Sequence, residues 1–143
     1  MLVSQIIKHK GSDVFTVSPD QTLSEAARQL NEKRVGALVV RDAGSVIGIV
    51  SERDIVRELA TGGPAALERP VAEHMTRDVI FAAPHETVDA LLARMTDRRV
   101  RHLPVVSGQG ELCGLVSIGD LVKHKISEIE AEAQTLKNYI AAG

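Results

Sequence analysis

The chain has 143 residues, 44% of them apolar and 25% charged, with a net charge of -2. That length suits a single folded core, and the charge argues against a general nucleic-acid binder, which is normally basic. Two Phe, one Tyr and no Trp leave no set of aromatic faces for stacking single-stranded bases.

In chain order, residues 1–13 are expected to hold a short helix. Their text, MLVSQIIKHKGSD, is too short and too mixed for a signal peptide. A β segment follows from Val14 to Val17 and leads into a Pro19 turn. Thr22 reads as an N-cap, with Glu25 completing a capping box, and Leu23, Ala26, Ala27 and Leu30 recur at helical spacing. Lys33 and Arg34 close that helix as its dipole prefers. Strands are predicted over Ala37–Val40 and Val46–Val50, and a second helix starts at Ser51. Thr61-Gly-Gly-Pro64 signals a linker, in which Pro70 to Met75 suggests a short helix with Pro70 at its first position.

The same order then repeats. A β segment at Val79–Ala82 precedes a helix capped by Thr87, with Val88, Leu91, Leu92 and Met95 on one face and Arg98-Arg99 at its end. Strands are predicted at His102–Val106 and Leu112–Val116, and a last helix starts at Ser117. Val14 to Gly44 aligns with Val79 to Gln109. After one inserted residue, Gly110, Val46 to Val56 aligns with Leu112 to Val122. Gly48, Ser51 and Asp54 thereby meet Gly114, Ser117 and Asp120. The division is an N-terminal segment 1–13, repeats at 14–61 and 77–126, a linker 62–76 and a helical extension 127–143. The expected fold is mixed α/β, more strictly α+β: two β-α-β-β-α repeats packed about a pseudo-twofold axis, since one repeat alone buries too little apolar area. Val122, Ile126, Ile129, Ala133, Leu136 and Ile140 form a heptad seam on the long last helix. The seam either packs back on its own domain or meets a partner helix in a homodimer, and its narrow apolar stripe favours the partner.

Ser51-x-x-Asp54 and Ser117-x-x-Asp120 are readable as helix caps. Three features add a ligand-binding reading. Both Asp residues lie in a first helical turn, where backbone N–H groups favour an anion. Gly48 and Gly114 remove side-chain bulk nearby, although packing also accounts for a strand glycine. Arg101 and His102 lie beyond the helix that Arg98 and Arg99 close, and so call for another reason. An Asp for ribose hydroxyls, an Arg for phosphate and aliphatic walls for a base are what a nucleotide requires.

The whole repeat, with G-h-h-S-x-x-D ending each copy and V-R-H-L-P-V-V in the second, resembles a tandem pair of CBS domains (a Bateman module) over roughly Val14 to Ile126. The resemblance implies two crossed clefts between the repeats that take adenosine-bearing ligands such as AMP, ATP, NAD or S-adenosylmethionine. It implies one site at Ser51 and Asp54 with the base near Val79 and Ile80. The other lies at Ser117, Ile118 and Asp120 with the base near Val14 and Thr16. Arg101 and His102 match phosphate-facing positions, whereas Gly36 and Ala37, their equivalents in the first repeat, carry no charge. Arg53 offers partial compensation, which Gly119 does not. Unequal sites are therefore expected.

Positive phosphate-facing groups favour AMP, ATP or NAD(H) over cationic S-adenosylmethionine, and few cations suit one or two phosphates, hence AMP or the AMP half of NAD(H). His102 would tighten phosphate binding as it protonates. The lone Cys113 excludes an intramolecular disulfide and reads as a core residue. No metal-ligand spacing or phosphate loop suggests catalysis. No run approaches the ~18 apolar residues of a membrane span. The expectation is a cytoplasmic, non-enzymatic nucleotide sensor without a catalytic cofactor, a homodimer that acts on an unidentified protein target. A ligand-free scaffold dimer is the alternative.

Overall fold

The computed structural model describes residues 1–142; Gly143, the last residue of the expected C-terminal extension, lies outside them. The elements are α1 (Val3–Lys10), β1 (Thr16–Val17), α2 (Leu23–Lys33), β2 (Ala37–Asp42), β3 (Ser45–Ser51), α3 (Glu52–Gly62), α4 (Val88–Arg98), β4 (His102–Val106), β5 (Leu112–Ser117) and α5 (Ile118–Ala142). This is the expected mixed α+β order with a long last helix. The described chain divides into two compact units, Val14–Ile80 and Met1–Asp13 together with residues 81–142.

In the Val14–Ile80 unit, β1 runs parallel to β2, with Thr16 opposite Val39, and β2 and β3 form an antiparallel hairpin. Ala43 and Gly44 turn that hairpin at positive φ, 51° and 85°. The Thr22 hydroxyl accepts the Glu25 N–H at 3.1 Å, the forward half of the expected capping box. The short helix expected over Pro70–Met75 is a 3-10 turn, Val71–Glu73, with Pro70 at the N-cap rather than the first helical position. A second 3-10 turn spans Pro64–Glu68. Val17, Leu23, Ala26, Leu30, Leu38, Val40, Val50, Ile55, Val71 and Met75 form the core.

The other unit repeats that core position by position. Ala82, Val88, Leu91, Met95, Leu103, Val105, Val116 and Leu121 are buried at the equivalents of Val17 through Ile55. The counterparts of Val71 and Met75 are Val3 and Ile7 of α1. The backbone pairing is equivalent as well. Leu23 N–H donates to Arg69 O and Val71 N–H to Gln21 O, while Val88 N–H donates to Met1 O and Val3 N–H to Glu86 O. So the segment that precedes each repeat completes the unit of the other: α1 joins the second repeat, and Pro70–Met75 joins the first.

One expected strand is nearly absent. Of Val79–Ala82, only Ala82 pairs, in a single parallel bridge to Val105. β1 itself covers only Thr16–Val17 of the expected Val14–Val17, and the further loss at Phe81, the equivalent of Thr16, traces to Pro104. In the first repeat Val39 N–H donates to Phe15 O at 3.2 Å. The equivalent of Val39 is Pro104, which has no N–H to offer Ile80. The ladder therefore stops at Ala82, whose N–H donates to Pro104 O.

On α5 only Leu121 is buried. The seam does not pack back on its own domain: Val122, Ile126, Ile129, Leu136 and Ile140 are 43–68% exposed. No helix among the described residues is long and apolar enough to cross a membrane.

Candidate functional site

Each Ser-x-x-Asp motif sits where a strand turns into a helix, and each is a reciprocal cap. At the first, Ser51 keeps an extended backbone while α3 begins at Glu52. Its hydroxyl accepts the Asp54 N–H at 3.3 Å, and Asp54 Oδ2 accepts the Ser51 N–H at 2.9 Å and the Ser51 hydroxyl at 3.1 Å. At the second, Asp120 N–H donates to Ser117 Oγ at 3.1 Å and Ser117 N–H to Asp120 Oδ2 at 2.9 Å. Such caps satisfy N–H groups that the first helical turn leaves unpaired, and place two carboxylates at helix N-termini.

The turns are pinned from behind in the same way. Glu52 N–H donates to Gly36 O at 3.0 Å, and Ile118 N–H donates to Arg101 O at 2.8 Å. Ala37 pairs with Ser51, and His102 with Ser117, in the antiparallel ladders. Gly36, Ala37, Ser51 and Asp54 thus converge in one unit, and Arg101, His102, Ser117, Ile118 and Asp120 in the other. The Arg101 side chain is exposed beside its turn. Arg53 is exposed on the first turn of α3, and Gly119 leaves the matching position bare. Val14, Thr16, Val79 and Ile80 all belong to the Val14–Ile80 unit and are half-buried. Val79 and Ile80 lie outside any strand, as do their first-repeat equivalents Val14 and Phe15.

The ligand-clearance reading of the two glycines is corrected. A Cβ on Gly48 would stand 2.5 Å from Met75 Sδ, and one on Gly114 2.5 Å from Ile7 Cδ1. Each glycine makes room for a core side chain of the exchanged segment.

Two cations that the motif reading did not name hold the carboxylates. Asp54, the one buried charged residue among those described, accepts Arg57 Nη2 on Oδ1 at 2.6 Å. Asp120 accepts the Lys10 ammonium on Oδ2 at 2.5 Å, and the same ammonium donates to Leu115 O at 2.8 Å. Arg57 was legible in principle, one turn beyond Asp54 on the same helix. Nothing local marks Lys10, more than a hundred residues away. Burial works to raise the Asp120 pKa, but the hydrogen bonds from Lys10 and the Ser117 N–H outweigh it and hold the carboxyl below its ordinary value.

A family model described as CBS domain matches residues 3–61 and 71–127, so its two matches begin at the equivalent residues Val3 and Val71. A CBS-domain containing protein from Agrobacterium tumefaciens is 43% identical, with a TM-score of 0.85 over 87% of this chain and 99% of that one. A CBS domain protein from Pyrobaculum aerophilum complexed with AMP is 28% identical, with a TM-score of 0.73 over 84% and 89%. The CBS domain pair of protein MJ0100, in complex with 5′-methylthioadenosine and S-adenosyl-L-methionine, is 26% identical, with a TM-score of 0.79 over 90% and 98%. With both repeats matched and the same core built twice, the chain belongs to the CBS-domain family.

Proposed function

We propose that this protein is a regulatory module that binds an adenine nucleotide, with no catalytic activity of its own. The observation that carries this reading is the carboxylate set at the start of α3 and again of α5 by one Ser-x-x-Asp geometry. In this reading Asp54 and Asp120 accept ribose hydroxyls, and Ser51 and Ser117 line the ligand. Arg101 and His102 serve phosphate at the second site, and Arg53 at the first. Relatives that hold AMP, or 5′-methylthioadenosine and S-adenosyl-L-methionine, support an adenosine-bearing ligand. The exposed Arg101 favours anionic members of that class: AMP first, with ATP and NAD(H) as alternatives. The output is a change in conformation or dimer geometry, delivered to a protein target in the cytoplasm. The bare seam of α5 supports a homodimer.

The test is thermal unfolding of wild type, Asp54→Ala and Asp120→Ala with AMP, ATP, NADH and S-adenosylmethionine. A ligand at 100 times its Kd stabilises by about 2.7 kcal/mol. A wild-type shift with one nucleotide, reduced in the variants, bears the reading out. A second reading, a ligand-free scaffold, is favoured by the fact that both carboxylates already have a cap and an internal cation. It predicts no ligand shift and variants that only melt earlier.

A further inference from the structure

Granting that Asp120 is a ribose site, we propose that Lys10 is its resident internal occupant: a nucleoside displaces the ammonium from Asp120, so binding there releases the end of α1.

The geometry is that of a plug. Lys10 Nζ bridges two acceptors, Asp120 Oδ2 at 2.5 Å and Leu115 O at 2.8 Å. The carboxylate oxygen it holds also accepts the Ser117 N–H. A ribose diol brings uncharged hydroxyl donors to that carboxylate; their hydrogen bonds to it are charge-assisted as well, but they lack the full positive charge of the ammonium and must compete with it for the same oxygen. The ammonium therefore leaves before the diol seats.

The other unit has no such plug. At Ile49, the equivalent of Leu115, the carbonyl accepts the Thr76 backbone N–H at 2.9 Å. Asp54 draws its cation from Arg57 on its own helix, and that contact moves no other element. Lys123, at the place of Arg57, is exposed, and the cation at Asp120 comes from α1 instead.

Lys10 is also well placed to transmit its release. It is the last residue of α1. Beyond it Gly11 turns at φ 106°, and Ser12 and Asp13 are exposed. Ile6 is fully buried, and beyond it this end of the helix is held by two further side-chain contacts. His9 meets His124 edge-on, ring centroids 5.8 Å apart, and Ile7 packs across Gly114. The first turn is held separately, by the pairing of Leu2 with Thr87. Loss of the Lys10 bridge thus loosens the C-terminal turn and leaves the first turn seated.

The experiment uses the full chain with Asp54→Ala, which leaves the Asp120 site alone, and the same background with Lys10→Met, which keeps the aliphatic stem. Asp54→Asn replaces Asp54→Ala should the latter fail to fold. AMP binding is measured by calorimetry, and amide exchange over Ile6–Lys10 with and without saturating AMP. Expected are binding about tenfold tighter when Lys10 is Met, and faster exchange at the end of α1 when AMP saturates the Asp54→Ala protein. Binding that is unchanged or weaker with Lys10→Met, or α1 exchange unmoved at saturation, overturns the plug while leaving the nucleotide reading intact. Absence of AMP binding in wild type and every variant overturns the nucleotide reading, and the plug with it.

Discussion

Met75 lies directly over Gly48: a Cβ on that glycine would stand 2.5 Å from Met75 Sδ, 2.9 Å from its Cγ and 3.0 Å from the Thr76 carbonyl oxygen. Ile7 lies over Gly114 in the equivalent place, but there the added atom meets only Ile7 side-chain atoms, at 2.5, 3.4 and 3.5 Å. A side-chain tip moves cheaply, and a carbonyl held by Ile49 N–H at 3.0 Å does not. Gly48→Ala is therefore expected to destabilise by about 1–3 kcal/mol, the usual cost of overpacking, and Gly114→Ala by clearly less. Chemical denaturation of the two variants checks the order. Equal losses would mean that the backbone contact is not the limiting one.

The β2–β3 hairpin turns on two residues, Ala43 and Gly44, with Asp42 opposite Ser45. Both have positive φ, as such two-residue turns demand, and Asn-Gly is the pair that fits best. Alanine at φ 51° meets the left-handed penalty of about 1 kcal/mol. Ala43 is exposed, and a Cβ on Gly44 has nothing within 4 Å, so the turn is not crowded. Ala43→Asn should stabilise by about 0.5–1 kcal/mol. A midpoint unchanged or lowered in denaturant would refute this account of the turn.

The features legible in the sequence were those with local periods. Helical spacing of Leu23, Ala26 and Leu30, capping by Thr22 and Thr87, and the recurring Ser-x-x-Asp all depend on neighbours within a few positions. The features that escaped depend on partners far along the chain. Val3 and Ile7 share with Val71 and Met75 only a spacing of four and one identity, so the exchanged segments read as a separate N-terminal segment and a linker. The missing side chain of Gly48 reads equally as room for a ligand or for a neighbour, and only the position of Met75 decides. Pro104 was visible, but its effect falls on Phe81, on the far side of α4 in sequence. Lys10 carries no motif at all.

One polar bracket is built twice with different chemistry. In the first unit it is neutral: Gln21 Oε1 accepts the Ser18 N–H at 2.9 Å, and Gln29 Nε2 donates to Thr16 O at 3.1 Å. In the second, Glu86 Oε1 accepts the Ala83 N–H at 2.9 Å, and Arg94 donates to Phe81 O and to both Glu86 oxygens. The Arg94 hydrogen bonds hold the Glu86 carboxyl below its ordinary pKa, against an opposing effect of burial. A carboxyl whose pKa is lowered on folding contributes stability that is complete above its unfolded value, about 4.3, and is lost as pH falls through the folded value. Acid should therefore weaken this bracket from about pH 5 downward and leave the Gln21–Gln29 bracket unaffected. Glu86→Gln with Arg94→Gln converts the second bracket to the first. The double variant should show a flatter stability curve between pH 3 and 6. An unchanged slope would place the acid sensitivity elsewhere, with Asp120 the next carboxylate to test.

The last prediction concerns α5, whose residues from Ile129 to Ala142 are all exposed. A single amphipathic helix of that length has little stability alone in water, so its apolar stripe calls for cover. Taking Ile126, Ala133 and Ile140 as one row and Val122, Ile129 and Leu136 as the other, the flanking positions are Lys125, Glu132 and Tyr139 on one side and Lys123, Glu130 and Lys137 on the other. In a parallel, in-register pair, Lys125 faces Glu130 of the second copy and Glu132 faces Lys137, each an attractive match. Lys125 already holds Asp89 at 3.0 Å, so the Glu132–Lys137 pair is the more decisive of the two. Glu132→Lys should weaken the homodimer, and Glu132→Lys with Lys137→Glu should restore it. Ile129→Lys with Leu136→Lys should give monomer, with the repeats still folded because neither residue enters a core. Sedimentation at several concentrations reads all three. Rescue by the charge swap is the discriminating result, since an antiparallel pair or a dimer formed elsewhere would not respond to it. A monomeric wild type would remove the homodimer from the proposed mechanism.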